Sequence, residues 1–136
     1  MNVEILKLLF DFGLLVLIWL VQRIIYPSFT YYQKNNLVKW HKEYTLRLGY
    51  IVIFLMIGQL ILSVVWVFRE FSLLRVINLG LIITIWLLTF LQFVPLHLKI
   101  SSNMINDTIL KQLVHLNWSR TLLWTLVFIL SCIDMG

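Results

Sequence analysis

The sequence predicts an all-α integral membrane protein, a four-helix bundle running up-down-up-down as a single domain over residues 1–136. Three observations carry this. Hydrophobic residues make up 61% of the chain and charged ones only 12%, well short of the roughly one quarter that a water-facing surface needs. Four apolar runs, 5–26, 48–68, 76–96 and 116–133, each come close to the roughly 20 residues a helix needs to cross about 30 Å of hydrocarbon. The runs are continuously apolar, whereas the strand of a membrane barrel alternates its faces over about ten residues.

The first run begins just after Glu4, holds Lys7 and Asp11 near its start and has no small-residue cleavage pattern behind it, so it is expected to be a retained span and not a removed signal peptide. The second helix is expected to start at a cap on Asn35 or Asn36 and to run through Leu37, Trp40 and Tyr44 before it reaches the hydrocarbon. Pro95 near the end of the third run, like Pro27 near the end of the first, is expected to terminate its helix. Asn106 or Asp107 is positioned to cap the fourth helix, which then passes through Ile109, Leu113 and Trp118. Helices two and four should therefore project beyond the bilayer on one side.

That side is the basic one. The two loops there, with their helix ends, hold Arg23, Lys34, Lys39, Lys42, Arg47, Lys99, Lys111 and Arg120, against Lys7, Arg69 and Arg75 at the opposite end. The positive-inside rule places the basic loops in the cytoplasm and both termini on the outer face of a bacterial inner membrane. Placed this way, the net charge of +5 is a topology signal and argues against a nucleic-acid partner. Membrane lipids are the expected partners, and nothing in the pattern opposes a homo-oligomer. The single cysteine, Cys132, rules out an internal disulfide and any multi-cysteine metal site.

The two helical hairpins also echo each other. Gln22 precedes Pro27 as Gln92 precedes Pro95, and His41-x-x-Tyr44-Thr45 answers His115-x-x-Trp118-Ser119. The pattern is that of a parallel internal duplication.

All three histidines, His41, His97 and His115, fall at the basic-loop ends of their helices. Around them stand Gln22, Arg23, Tyr26, Trp40, Tyr44, Arg47, Gln92, Asn117, Trp118, Arg120 and Trp124. At about 100° per residue, Trp40, Tyr44 and Arg47 share one stripe, and Asn117, Thr121 and Trp124 another. Such a set suits a pocket for a lipophilic aromatic or quinone-like ligand, and an oxidoreductase is one reading of it. An imidazole serves as general base near its unperturbed pKa of about 6.5, and Arg120 or Arg47 stabilises an anionic oxygen. Three cofactor states remain open: none, a copper, iron or zinc ion on His41, His97 and His115, or a haem b between His41 and His115 with an arginine on its propionates. The competing class is a non-enzymatic membrane subunit whose Trp, Tyr and Arg form interfacial belts. Deeper in the bilayer, Asp11 and Gln59 are expected to hydrogen-bond as structural glue, with an ion path as the alternative.

Val94-Pro95-Leu96-His97, followed by Leu116-Asn117-Trp118-Ser119-Arg120-Thr121, resembles the pattern of the anthrone-oxygenase-like small membrane proteins. The likeness implies four spans and oxygenation of a polycyclic phenol without metal or flavin, with His97, Asn117 and Arg120 at the matched positions. Tyr26-Pro27 and Trp40-His41 resemble, more faintly, the haem-containing membrane protoporphyrinogen oxidases, whose first-span histidine has no counterpart here. Over its whole length the chain looks like a group of small bacterial four-span membrane proteins.

Overall fold

The computed structural model describes residues 2–136 as four long helices, α1 (Val3–Tyr31), α2 (Lys34–Arg69), α3 (Leu73–Ser101) and α4 (Asp107–Met135). Each is long and apolar enough to cross a membrane, and no strand occurs among the described residues. The links are short, so successive helices run antiparallel. Each packs on its neighbours in sequence, and α1 closes the ring against α4. The expected all-α four-helix bundle is what forms. Large apolar side chains such as Leu9, Phe54, Ile83 and Leu122 cover its outer surface, as in a protein whose solvent is lipid.

The helix starts follow simple capping chemistry. Asn2, Ser72 and Asn106 each accept a backbone N–H of the first turn through their side chains, Asn106 from Ile109 at 2.8 Å. Helix α2 departs from expectation, because it begins at Lys34 behind Gln33, which makes no side-chain cap. Asn35 and Asn36 lie exposed inside the first turn. The 36 residues of α2 reach about 54 Å, so the helix does extend well past a hydrocarbon core of about 30 Å.

Neither proline ends its helix. In α1 the turn Val21–Ile25 is π-helical, with the Tyr26 N–H bonded to the Val21 carbonyl; in α3 the turn Thr89–Phe93 is π-helical, with the Val94 N–H bonded to the Thr89 carbonyl. The widened turn just before each proline takes up the clash its ring would have with the preceding turn. Both helices then continue, to Tyr31 and Ser101. What stops α3 is Asn103, whose φ of 63° lets Asn103 and Met104 donate back to the Ile100 and Lys99 carbonyls in a Schellman arrangement. The two π turns stand at the same distance from their prolines, a likeness of the hairpins that the spacing of Gln22 and Gln92 does not reveal.

The half of the bundle near the termini holds a buried polar network. Asp11 accepts from Lys7 at 2.6 Å, from Gln59 at 2.7 Å and from Ser131 at 2.7 Å. Ser131 in turn accepts from Lys7 and from Asn78, while Trp124 donates to Gln59. Lys7, Asp11, Gln59, Asn78 and Ser131 are all essentially inaccessible. Closer to the rim, Arg75 pairs with Asp134 at 2.7 Å and lies over Trp66. The Asp11–Gln59 bond expected from sequence is present, within a larger set that sequence inspection did not assemble.

Asp11→Ala leaves the Lys7 ammonium buried without a carboxylate and is expected to destabilise the bundle by about 3–5 kcal/mol, read as unfolding free energy in mixed micelles. The double change Lys7→Met with Asp11→Leu should recover much of that loss; equal stability of the single variant and the parent would show that the pair does not matter.

Candidate functional site

At the basic-loop end, the inward stripe of α2 is Leu37, His41 and Tyr44, all buried and spaced four then three residues apart, as one helix face requires. Helix α3 brings His97 and Ser101 to the same level, and α1, beyond its π turn, brings Tyr26 and Phe29. These groups form one hydrogen-bonded row. The Tyr26 hydroxyl meets His97 Nε2 at 2.9 Å, His97 Nδ1 meets His41 Nε2 at 2.8 Å, and His41 Nδ1 meets Ser101 Oγ at 2.9 Å. The two imidazoles lie nearly parallel, 5.0 Å apart, with the ring of Phe29 set edge-on to His41 and Tyr44.

Beside the row is a cleft of about 310 Å³. Thr45, Leu48 and Val52 of α2 form one wall, and Thr89, Phe93, Val94 and Leu98 of α3 the other. Tyr26, Tyr44, His97 and Arg120 also border it. Val94 and Leu98 are 40% and 62% exposed on the bundle's outer surface, so the cleft opens sideways between α2 and α3 and not along the bundle axis.

Arg120 is the unusual member. It is only 5% exposed, and its guanidinium is sandwiched between the rings of Phe93 and Trp124, 4.4 and 5.1 Å away. Among the described residues no carboxylate lies within salt-bridge distance of it, its Nε has no partner, and its contact with Asn117 is long at 3.5 Å. Each aromatic face can give a desolvated cation up to about 2 kcal/mol, which offsets the cost of burying an arginine in the bundle, about 2.5–3.5 kcal/mol at the centre of a span and less toward its end. The cation is held in position without being neutralised.

The other residues singled out from sequence divide into four groups. Gln22 and Asn117 are buried and bonded to each other at 2.9 Å, with Thr121 and the Val114 carbonyl completing a tie between α1 and α4. Trp124 packs beneath Arg120 and reaches Gln59. Trp40, Arg47, Trp118 and His115 are not part of the assembly. Trp40 is exposed, Arg47 pairs with Glu43 on the surface, and Trp118 stacks edge-on against Trp19. His115 is exposed because it lies two residues from both Leu113 and Asn117 on the inward stripe, about 200° around the helix. Gln92 is half-buried, its side-chain oxygen without a partner.

One residue of the row, Ser101, was not read as functional from sequence. It lies four residues after His97 and thus on its face, a signal available in the spacing; Tyr26 stood among the residues around the histidines, and its place in the row depends on the π turn. The three-histidine metal set and the His41–His115 haem pair do not fit. His115 is on the far face, and all four ring nitrogens of His41 and His97 are already hydrogen-bonded within the protein. No group of three His, Cys, Asp or Glu suited to a metal exists among the described residues.

Fold and site together define a multi-pass membrane protein of four helices with a polar, aromatic cluster at its two-loop end. No protein-family model, no curated protein and no solved structure matches the chain.

Because Arg120 has no counter-charge, Arg120→Met should leave the stability of the unliganded bundle within about 1 kcal/mol of the parent, the terms above nearly offsetting. Thermal unfolding in detergent measures this. A marked loss of stability would mean that the guanidinium has a structural partner.

Proposed function

We propose that the protein binds a lipophilic aromatic ligand bearing a carbonyl or phenolic oxygen, of the quinone or phenol class, in the cleft between α2 and α3. The observation that carries this reading is the buried Arg120 guanidinium, which borders the cleft and has no carboxylate of its own. A buried cation kept there without a counter-charge favours a ligand oxygen carrying full or partial negative charge. Phe93, Val52 and Leu98 offer the apolar walls for a flat ring, and the cleft volume falls at the lower end of the roughly 300–1,000 Å³ of small-molecule sites. The sideways opening suits a ligand that arrives through the lipid. Two of the three positions matched in the anthrone-oxygenase-like resemblance, His97 and Arg120, border this cleft, and the third, Asn117, contacts Arg120. In that family's chemistry, reaction would begin at the phenolic oxygen that Arg120 and Tyr26 address.

We further propose that the two-loop end is cytoplasmic, in a bacterial inner membrane, on the strength of the basic residues gathered there.

Titrating the protein in lipid nanodiscs with 1,4-naphthoquinone should quench tryptophan fluorescence saturably. Arg120→Met should weaken binding about 10- to 100-fold, the equivalent of one charge-assisted hydrogen bond of about 1.5–3 kcal/mol. Equal affinity in the variant would sink the cleft reading. For orientation, with Cys132→Ser as background, a membrane-impermeant thiol reagent applied to intact cells should label Glu70→Cys and spare Lys39→Cys; the reverse pattern would invert the bundle.

A further inference from the structure

The row of hydrogen bonds has two ends. Tyr26 faces the cleft. Ser101 borders the cleft and also a second cavity of about 320 Å³ at the two-loop end, lined by polar groups including Asn35, Lys42 and Asn103. Lys42, Asn35 and Asn103 are exposed, so water has access there. The row therefore joins an apolar cleft within the bundle to the aqueous phase.

Its chemistry is suited to moving a proton. A neutral imidazole has one donor and one acceptor nitrogen. With both nitrogens of both rings engaged, the row has two self-consistent settings: every N–H and O–H points toward Ser101, or every one points toward Tyr26. Transfer of one proton along the row converts the first setting into the second without leaving a net charge on any member. The other titratable groups at the cleft are Tyr44 and Arg120; Arg120 opposes a lasting positive charge on His97 and favours an anion beside it.

We propose that the row is a proton exit: a phenol entering the cleft binds as its phenolate beside Arg120, and its proton leaves through Tyr26, His97, His41 and Ser101 to water at the two-loop end. This rests on the cleft being a ligand site. The ligand O–H bond breaks and its proton goes to the Tyr26 oxygen, while the Tyr26 proton passes to His97 Nε2. The His97 Nδ1 proton passes to His41 Nε2, the His41 Nδ1 proton to Ser101, and the Ser101 proton to water. No electron is transferred, and one proton is released for each phenol bound.

The probe is 4-nitrophenol, whose anion is yellow, mixed in a stopped-flow instrument with nanodisc-embedded protein. The medium is weakly buffered, at a pH where the free probe is mostly neutral, and contains a pH indicator. The expected result is a phenolate spectrum with close to one proton released per probe bound. Arg120→Met should lose both. Ser101→Ala and, separately, His41→Phe should keep the final spectrum but slow its appearance by about a hundredfold, the low side of what a positioned acid–base group contributes. Ser101→Ala removes one oxygen at the end of the row, which guards against the His41 variant failing to fold. Saturable binding of the neutral phenol with no proton released would overturn the proposal and leave the cleft reading intact, and unchanged rates in both row variants would overturn the path. Absence of saturable binding by both this probe and the quinone would remove the cleft reading and the inference with it.

Discussion

The bundle depends on the buried Lys7–Asp11 pair and the polar groups that complete it. In lipid, helices gain little by hiding leucine from a solvent as apolar as leucine, and packing and interhelical hydrogen bonds must select one arrangement. Here one connected set draws on every helix: Lys7 and Asp11 from α1, Gln59 from α2, Asn78 from α3, and Ser131 from α4. A charge in hydrocarbon without a partner is costly, so arrangements that separate Lys7 from Asp11, or rotate Ser131 and Gln59 away, are strongly disfavoured. The network fixes which face of each helix looks inward.

That constraint reaches the other end of the molecule. Gln59 and His41 are 18 residues apart, about five full turns, so orienting one inward orients the other. Asn117 and Ser131 are 14 residues apart on α4, within about 40° of each other, and both are buried. The charges of the termini-proximal half are paired, although the Asn78 side-chain oxygen and the Trp66 N–H there have no partner, whereas the two-loop half contains an unneutralised guanidinium and an open cleft. Polarity that is satisfied fixes the fold, and polarity left unsatisfied is where chemistry has room.

How much of this was legible depended on whether the signal was periodic. The spans follow from apolar run length, a property every residue in the run supports; the extension of α2 followed from a helix start expected near Asn35, close to the observed start at Lys34 although no side chain caps it. The Asp11–Gln59 contact was legible because a carboxylate inside the bilayer demands a partner. The place of His115 could have been read from the inward stripe of α4, since Leu113 and Asn117 bracket it; its nearness in sequence to other polar groups obscured that. Trp40 and Arg47 were misassigned through a one-residue error of phase, because the stripe passes through His41 and not Trp40. Lys7 and Arg75 stood only as bases at the end opposite the basic loops, and the tertiary structure shows both buried, Lys7 against Asp11 and Ser131 and Arg75 over Trp66.

The π turns carry a consequence for how such a chain could change. From Asn78 to His97 is 19 residues, which on an uninterrupted α-helix leaves the two about 100° apart; the one extra residue taken up by the turn Thr89–Phe93 brings them back into line. Loss of a single codon within that turn would close it to an ordinary α-helical turn and leave Asn78 and His97 18 residues apart, five full turns and still in line. What it would bring back is the clash between the Pro95 ring and the turn before it. In this architecture, therefore, the wide turn and the proline two residues beyond it are one inherited unit: a descendant that loses the extra residue keeps the phase of His97 and has to give up the proline with it.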